Sequence, residues 1–176
     1  MKKKTNHRWV IRIVLISVMA SVVFTFASSE LLRRTGSVVA FAVLVLFIAI
    51  GIVFDMLGAA VMSAQEAPFH SMASHRERGA AEALRLLKNA EKTASICNDV
   101  VGDVTGIVSG ATAAMVASEL MITFSIESVL LQLLISGAVA GLTIGGKAAG
   151  KTIALNNSTA IVIKAGKFIN FFHLKK

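Results

Sequence analysis

Six residues with carboxylate, amide or hydroxyl side chains interrupt apolar stretches that are long enough to cross a membrane. These candidate ligands are Asp55, Ser63, Glu66, Asn98, Asp99 and Asp103. A carboxylate in the hydrocarbon region of a bilayer costs about 2.5–3.5 kcal/mol on insertion scales. Oxygen ligands suit a hard divalent cation such as Mg²⁺, and no cluster of Cys and His offers a softer site for zinc or copper. The pattern therefore indicates an ion or proton site within the membrane.

The spacing of these residues places them on two helix faces. Asp55, Ser63 and Glu66 form one stripe, because they follow i, i+8 and i+11 spacing. Asp99 and Asp103 have i, i+4 spacing and share a second face. Asn98 lies about 100° from Asp99 around an ideal helix. We expect both stripes to line one cavity, because a shared hydrated or metal-filled cavity removes most of the cost of burying the acids. Asp99 is the preferred direct ligand.

Each candidate also has a purely structural interpretation. Ser63 could simply donate to a carbonyl of its own helix, and Glu66 could be solvated near the interface. The pair Asp99 and Asp103 could cap a helix that begins later than the apolar block. Asp55 is the deepest and hardest to explain in this way, although it could pair with Lys147 or with another chain.

Composition predicts an all-α integral membrane protein. The 176 residues are 55% hydrophobic, with a mean hydropathy of +0.74. A helical span needs about 20 mostly apolar residues, and four blocks approach that length: 9–27, 37–62, 94–117 and 128–145. The third block is rich in small residues, which suits packing against other helices. Segments 79–89 and 151–173 are predicted to be amphipathic helices at the membrane interface.

Several classes of protein are excluded. The net charge of +8 does not indicate nucleic-acid binding, because the basic residues flank apolar blocks instead of forming one face. No nucleophile–base pair or metal-hydrolase spacing appears, so an enzyme is not expected. Cys97 is the single cysteine, which rules out a disulfide within the chain.

The distribution of Lys and Arg predicts the orientation. Only Arg33 and Arg34 lie in the two opposite loops, which places 16 of the 18 basic residues on one side. That side should be the cytoplasm, so both termini are expected there in the cell membrane. Residues 1–36 form an N-terminal segment with a first span, and residues 37–176 form the main domain. The first block has an alternative interpretation as a signal peptide cleaved after Thr25-Phe26-Ala27, although a retained helix is preferred.

Four motifs, in order, resemble the transmembrane domain of the cyclin M (CNNM) and CorB/CorC magnesium transport proteins. They are Ser-Ala-Gln-Glu-Ala-Pro-Phe-His-Ser at 63–71, Gly-Ala-Ala-Glu-Ala-Leu-Arg-Leu-Leu at 79–87, Asn-Asp-Val-Val-Gly-Asp at 98–103 and Gly-Lys-Ala-Ala-Gly-Lys-Thr-Ile-Ala at 146–154. The resemblance covers roughly residues 40–172. It implies a three-span helical domain with juxtamembrane helices, here preceded by an extra span, and a homodimer that handles Mg²⁺. Gly137 and Gly141 also form a Gly-x-x-x-Gly face that suits either dimerisation or packing within the chain.

The departures from the family pattern bear on function. Lys147 stands where the family has Glu, Gly150 where it has Pro, and Gly102 where it has the last Asn of the second motif. We expect the paired cystathionine-β-synthase (CBS) regulatory domains to be absent, since the sequence ends at Lys176, and a separate regulatory subunit could replace them. If Lys147 points into the cavity, it should weaken cation binding by like-charge repulsion.

Three functions remain open at this point. The first is divalent-cation transport, with the ion held by acidic and polar residues at mid-membrane. The second is a non-transporting scaffold or accessory subunit that retains the fold. The third is a small pore-forming, holin-like protein, which would cause leakage on expression without metal dependence.

Overall fold

The computed structural model describes residues 7–34, 37–124 and 129–173, and within these ranges it contains helices and no strands. In chain order the helices are α1 (His7–Arg34), α2 (Ser37–Ser63), α3 (Glu66–Ser74), α4 (Ala80–Lys88), α5 (Ala90–Ser95), a π-helix (Ile96–Gly102), α6 (Asp103–Phe124), α7 (Val129–Asn156) and α8 (Ser158–His173). The all-α prediction is confirmed. The basic residues at 2–4 and 175–176 lie outside the described residues.

Among the described residues, four helical segments are long and apolar enough to cross a membrane. They are Trp9–Glu30, Val38–Ser63, Ala90–Phe124 and Val129–Asn156. The third begins earlier than predicted, because α5 and the π-helix run directly into α6. The third span is also the most enclosed. In its most apolar stretch 33% of the residues are buried, compared with 17% in the second span and none in the first and fourth. Several small residues of the third span, among them Ser109, Ala113 and Ala117, therefore pack against protein.

The chain forms two compact units, and the first comprises Met1–Gly51 and Val100–Thr143. In this unit α1 packs along α6, where the buried hydroxyls of Ser28 and Thr112 hydrogen-bond at 3.0 Å. The rings of Phe24 and Phe47 meet edge to face, with centroids 5.8 Å apart. These contacts join the first span to two others within the same unit.

The second unit comprises Ile52–Asp99 and Ile144–Lys176, and its core surrounds Phe69 of α3. Glu66 and Pro68 stand in the first turn of α3, where a carboxylate favours the helix dipole and proline removes no needed hydrogen bond. Ala80, Ala83 and Leu87 are the buried face of α4, as the amphipathic pattern predicted. This unit therefore assembles around the segment between the second and third spans.

Helices α4 and α8 approach closely at a pair of glycines. Gly79 precedes α4 with φ of +82°, a conformation that favours glycine. A Cβ on Gly166 of α8 would meet the Gly79 carbonyl oxygen and lie 3.0 Å from the Ala83 nitrogen. Both positions lack room for a side chain, so glycine at each permits the contact between the two helices.

Helix α7 continues beyond the predicted end of the fourth block at residue 145 and reaches Asn156. Gly150 explains the difference, because it packs against α2 and does not end the helix. A Cβ on Gly150 would lie 2.8 Å from Met56 Cγ and 3.1 Å from Ile52 Cγ2. The final helix is correspondingly shorter than predicted: residues 151–156 belong to α7, and α8 begins at Ser158.

Candidate functional site

Asp55 is the acidic residue within the second span. Its side chain is 9% exposed, whereas the neighbouring Val53 and Phe54 on α2 are exposed. No described side chain hydrogen-bonds or ion-pairs with the Asp55 carboxylate. A buried carboxylate without a partner is costly in a membrane span. Asp55 is therefore a candidate cation ligand.

Asn98 packs against α2 one helical turn from Asp55. Gly58 follows Asp55 by three residues, so the two share a helix face. A Cβ on Gly58 would collide with Asn98 Oδ1 and lie 2.7 Å from Asn98 Cγ. Glycine at this position lets the amide lie directly on the α2 backbone. The predicted ligands Asp55 and Asn98 are thereby brought to one face of α2.

The amide oxygen of Asn98 is buried without a hydrogen-bond partner among the described residues. Asn98 lies within the π-helix Ile96–Gly102, a geometry that often occurs at functional sites. A buried amide oxygen that makes no hydrogen bond loses about 1–3 kcal/mol of solvation. A cation that prefers oxygen ligands would remove this cost, and its charge would also offset that of Asp55.

Ser63 and Glu66 lie at the end of the second span and the start of α3. The Ser63 hydroxyl donates to the carbonyl oxygens of Ala59 and Ala60, at 3.0 and 3.2 Å. The exposed Glu66 carboxylate lies 3.6 Å from His70 Nε2. His70 lies one helical turn after Glu66 in α3. Ser63 therefore bonds within its own helix and Glu66 is exposed, in agreement with the structural interpretation of each residue.

Asp99 and Asp103 are both exposed. Asp99 Oδ2 accepts a hydrogen bond of 2.5 Å from the Ser95 hydroxyl, one helical turn earlier. Asp103 is the first residue of α6 and belongs to the first compact unit, whereas Asp99 ends a segment of the second. Lys147 is half-buried on α7, in the second unit.

The described residues contain no group of three or more His, Cys, Asp or Glu side chains placed to hold a metal ion. The donors available on the α2 face are instead one carboxylate and one amide oxygen. That set fits Mg²⁺, which retains several waters and binds proteins through one or two carboxylates. It does not fit a dehydrated ion enclosed by protein ligands alone.

Gly58 is the functional residue that the sequence interpretation missed. The i, i+8 and i+11 spacing of Asp55, Ser63 and Glu66 passes over position i+3, although i+3 is also a close neighbour on a helix. The signal was the glycine itself, because a small residue in a span marks a close approach of backbones or side chains.

Comparison with known proteins finds no matching family model, no matching curated protein and no matching solved structure. The resemblance to the cyclin M and CorB/CorC proteins therefore stays a prediction from the four motifs.

Proposed function

We propose that this membrane protein binds a hard divalent cation of the Mg²⁺ type on the Asp55 face of α2 and conducts it across the bilayer. The observation that carries the proposal is the buried, unpartnered amide oxygen of Asn98 against Gly58, one helical turn along α2 from Asp55, a residue that is 9% exposed. The predicted resemblance to magnesium transport proteins agrees with this choice of ion.

The chemistry of the site follows from its two donors. The Asp55 carboxylate supplies the charge that makes cation entry into a low-dielectric region favourable. The Asn98 oxygen replaces one water of the hydration shell, and the ion retains its other waters. A site with so few protein ligands binds weakly enough to release its ion, which conduction requires. The exposed Glu66 and Asp99 add negative charge outside the buried pair.

Binding and transport can be measured separately on the full chain. We expect Mg²⁺ to produce a saturable heat signal in isothermal titration of the protein in lipid nanodiscs, and Na⁺ at the same ionic strength to produce none. In proteoliposomes loaded with a magnesium-sensitive dye, the same protein should accelerate Mg²⁺ entry over protein-free vesicles. Absence of both signals would reject a cation site.

A non-transporting scaffold is the second candidate function. The observation that favours it is that Ser63 donates to its own helix and Asp99 accepts from Ser95 one turn earlier. Fewer oxygen ligands are therefore free to bind a cation. Saturable Mg²⁺ binding without accelerated flux would select this alternative, with the cation as a structural ion.

We further propose that the loop carrying α4 lies in the cytoplasm of the cell, on the side with the excess of Lys and Arg. The single native cysteine, Cys97, is buried, so an exposed probe can be introduced at Asn89 as Asn89→Cys. An impermeant maleimide is expected to leave this variant unmodified in intact cells and to label it after the cells are opened. Labelling in intact cells would invert the orientation, and wild type provides the background from Cys97.

A homodimer through α7 is part of the same proposal. A Cβ on Gly137 or Gly141 would meet no atom of the described chain within 4 Å outside its own helix. Because the Gly-x-x-x-Gly face is not used for packing within the described residues, it remains available for close approach of a second α7.

A further inference from the structure

An apolar groove of about 410 Å³ lies between α2 and α8 in the second unit. Its apolar wall is formed by Val53, Phe54, Leu57, Ile161, Ala165 and Phe168. The volume falls within the range of about 300–1,000 Å³ that is usual for small-molecule sites. The one charged residue of the lining is Lys164.

The groove is open to the surroundings of the second span. Val53 is 60% exposed and Phe168 is 66% exposed, and Val53 belongs to the candidate membrane span Val38–Ser63. The exposed Val53 side chain therefore faces the hydrocarbon region. An acyl chain is the occupant that such a wall accommodates without desolvating any polar group.

The charge at the groove is positive. Lys164 is exposed, Lys167 lies on the same helix outside the groove lining, and α8 contains no acidic residue. Phe168 and Phe172 stack edge to face with centroids 5.0 Å apart, and both are exposed. A helix with cations and exposed aromatic rings is typical of the interface between lipid headgroups and acyl chains.

We propose that the groove between α2 and α8 is a binding site for an anionic phospholipid, with one acyl chain along the apolar wall and the headgroup phosphate at Lys164. A free anion would use the lysine and leave the apolar wall empty. An uncharged or zwitterionic lipid would fill the wall and gain less from the lysine. The combination of one cation with an otherwise apolar lining selects an anionic amphiphile that the surrounding bilayer already supplies.

Native mass spectrometry of the delipidated full chain in detergent measures this preference directly. We expect phosphatidylglycerol to bind about fivefold more tightly than phosphatidylcholine with the same acyl chains, the contribution typical of one lysine near an anionic headgroup. Lys164→Gln should abolish that difference. Ala165→Phe should fill the groove and weaken both lipids at least fivefold.

Control measurements separate the site from general effects. Lys88→Gln removes an exposed charge on α4 and should leave the preference unchanged, and each variant must retain the wild-type helical circular dichroism. Glycerol 3-phosphate is expected not to displace phosphatidylglycerol. Displacement by this headgroup would make the site one for free anions and would overturn the proposal. Equal binding of the two lipids by wild type, or unchanged binding by a folded Ala165→Phe, would overturn it as well.

Discussion

Gly166→Ala is expected to destabilise the protein by about 1–3 kcal/mol, the usual cost of adding a methyl group to a closely packed contact. The new Cβ would meet the carbonyl oxygen of Gly79 and lie 3.0 Å from the Ala83 nitrogen. Both are backbone atoms, so no flexible side chain can move aside. Alanine favours a helix over glycine by about 1 kcal/mol, and the steric cost must exceed that gain. The midpoint of thermal unfolding in detergent measures the result.

The matched control for this substitution is Gly110→Ala on α6. A Cβ at Gly110 meets no described atom within 4 Å outside its own helix, so the variant should be neutral or up to about 1 kcal/mol more stable through helix propensity. The two variants make the same chemical change, and only Gly166→Ala is expected to lower the stability. A Gly166→Ala protein as stable as wild type would show that α4 and α8 do not pack through these glycines.

The second large effect is expected for Asp55→Asn. We predict at least a tenfold loss of Mg²⁺ affinity, because the change removes the formal negative charge while keeping the shape of the side chain. Two unit charges 4 Å apart attract by about 4 kcal/mol at the effective dielectric of a protein surface, and a tenfold change in affinity corresponds to about 1.4 kcal/mol. Isothermal titration in nanodiscs measures the affinity.

Stability without cation gives Asp55→Asn a second, independent readout. The residue Asp55 is 9% exposed, and removing its unpaired charge should raise the unfolding midpoint in chelator while abolishing the rise of that midpoint on addition of Mg²⁺. Glu119→Gln removes an acid near the C-terminal end of α6. It should change neither the unfolding midpoint in chelator nor the rise of that midpoint on addition of Mg²⁺. If Asp55→Asn binds Mg²⁺ as wild type does, the cation site does not include this face of α2.

The proposed cation and lipid sites can fail independently. Both use α2, but Asp55 is buried whereas Val53 and Phe54 are exposed. Asp55→Asn should therefore leave lipid binding unchanged. Lys164→Gln retains the Asp55 carboxylate and should leave the Mg²⁺ affinity unchanged.

Local properties of the sequence determined the spans and the amphipathic helix of this protein. Length and hydropathy are summed along a single helix, so blocks such as 37–62 predict a span without knowledge of its neighbours. The periodicity of Ala80, Ala83 and Leu87 likewise predicts a buried face on α4, because the helix repeat alone places them together.

Tertiary structure decided which polar residues meet. The sequence favoured Asp99 as the direct ligand and did not separate Ser63 from Asn98, yet Ser63 bonds to its own helix and Asn98 lies against Gly58. The difference depends on the rotation of one helix against another, which the π-helix at 96–102 alters. It also depends on glycines that admit close approach, and their role becomes defined only when a neighbouring helix occupies the space that a side chain would need.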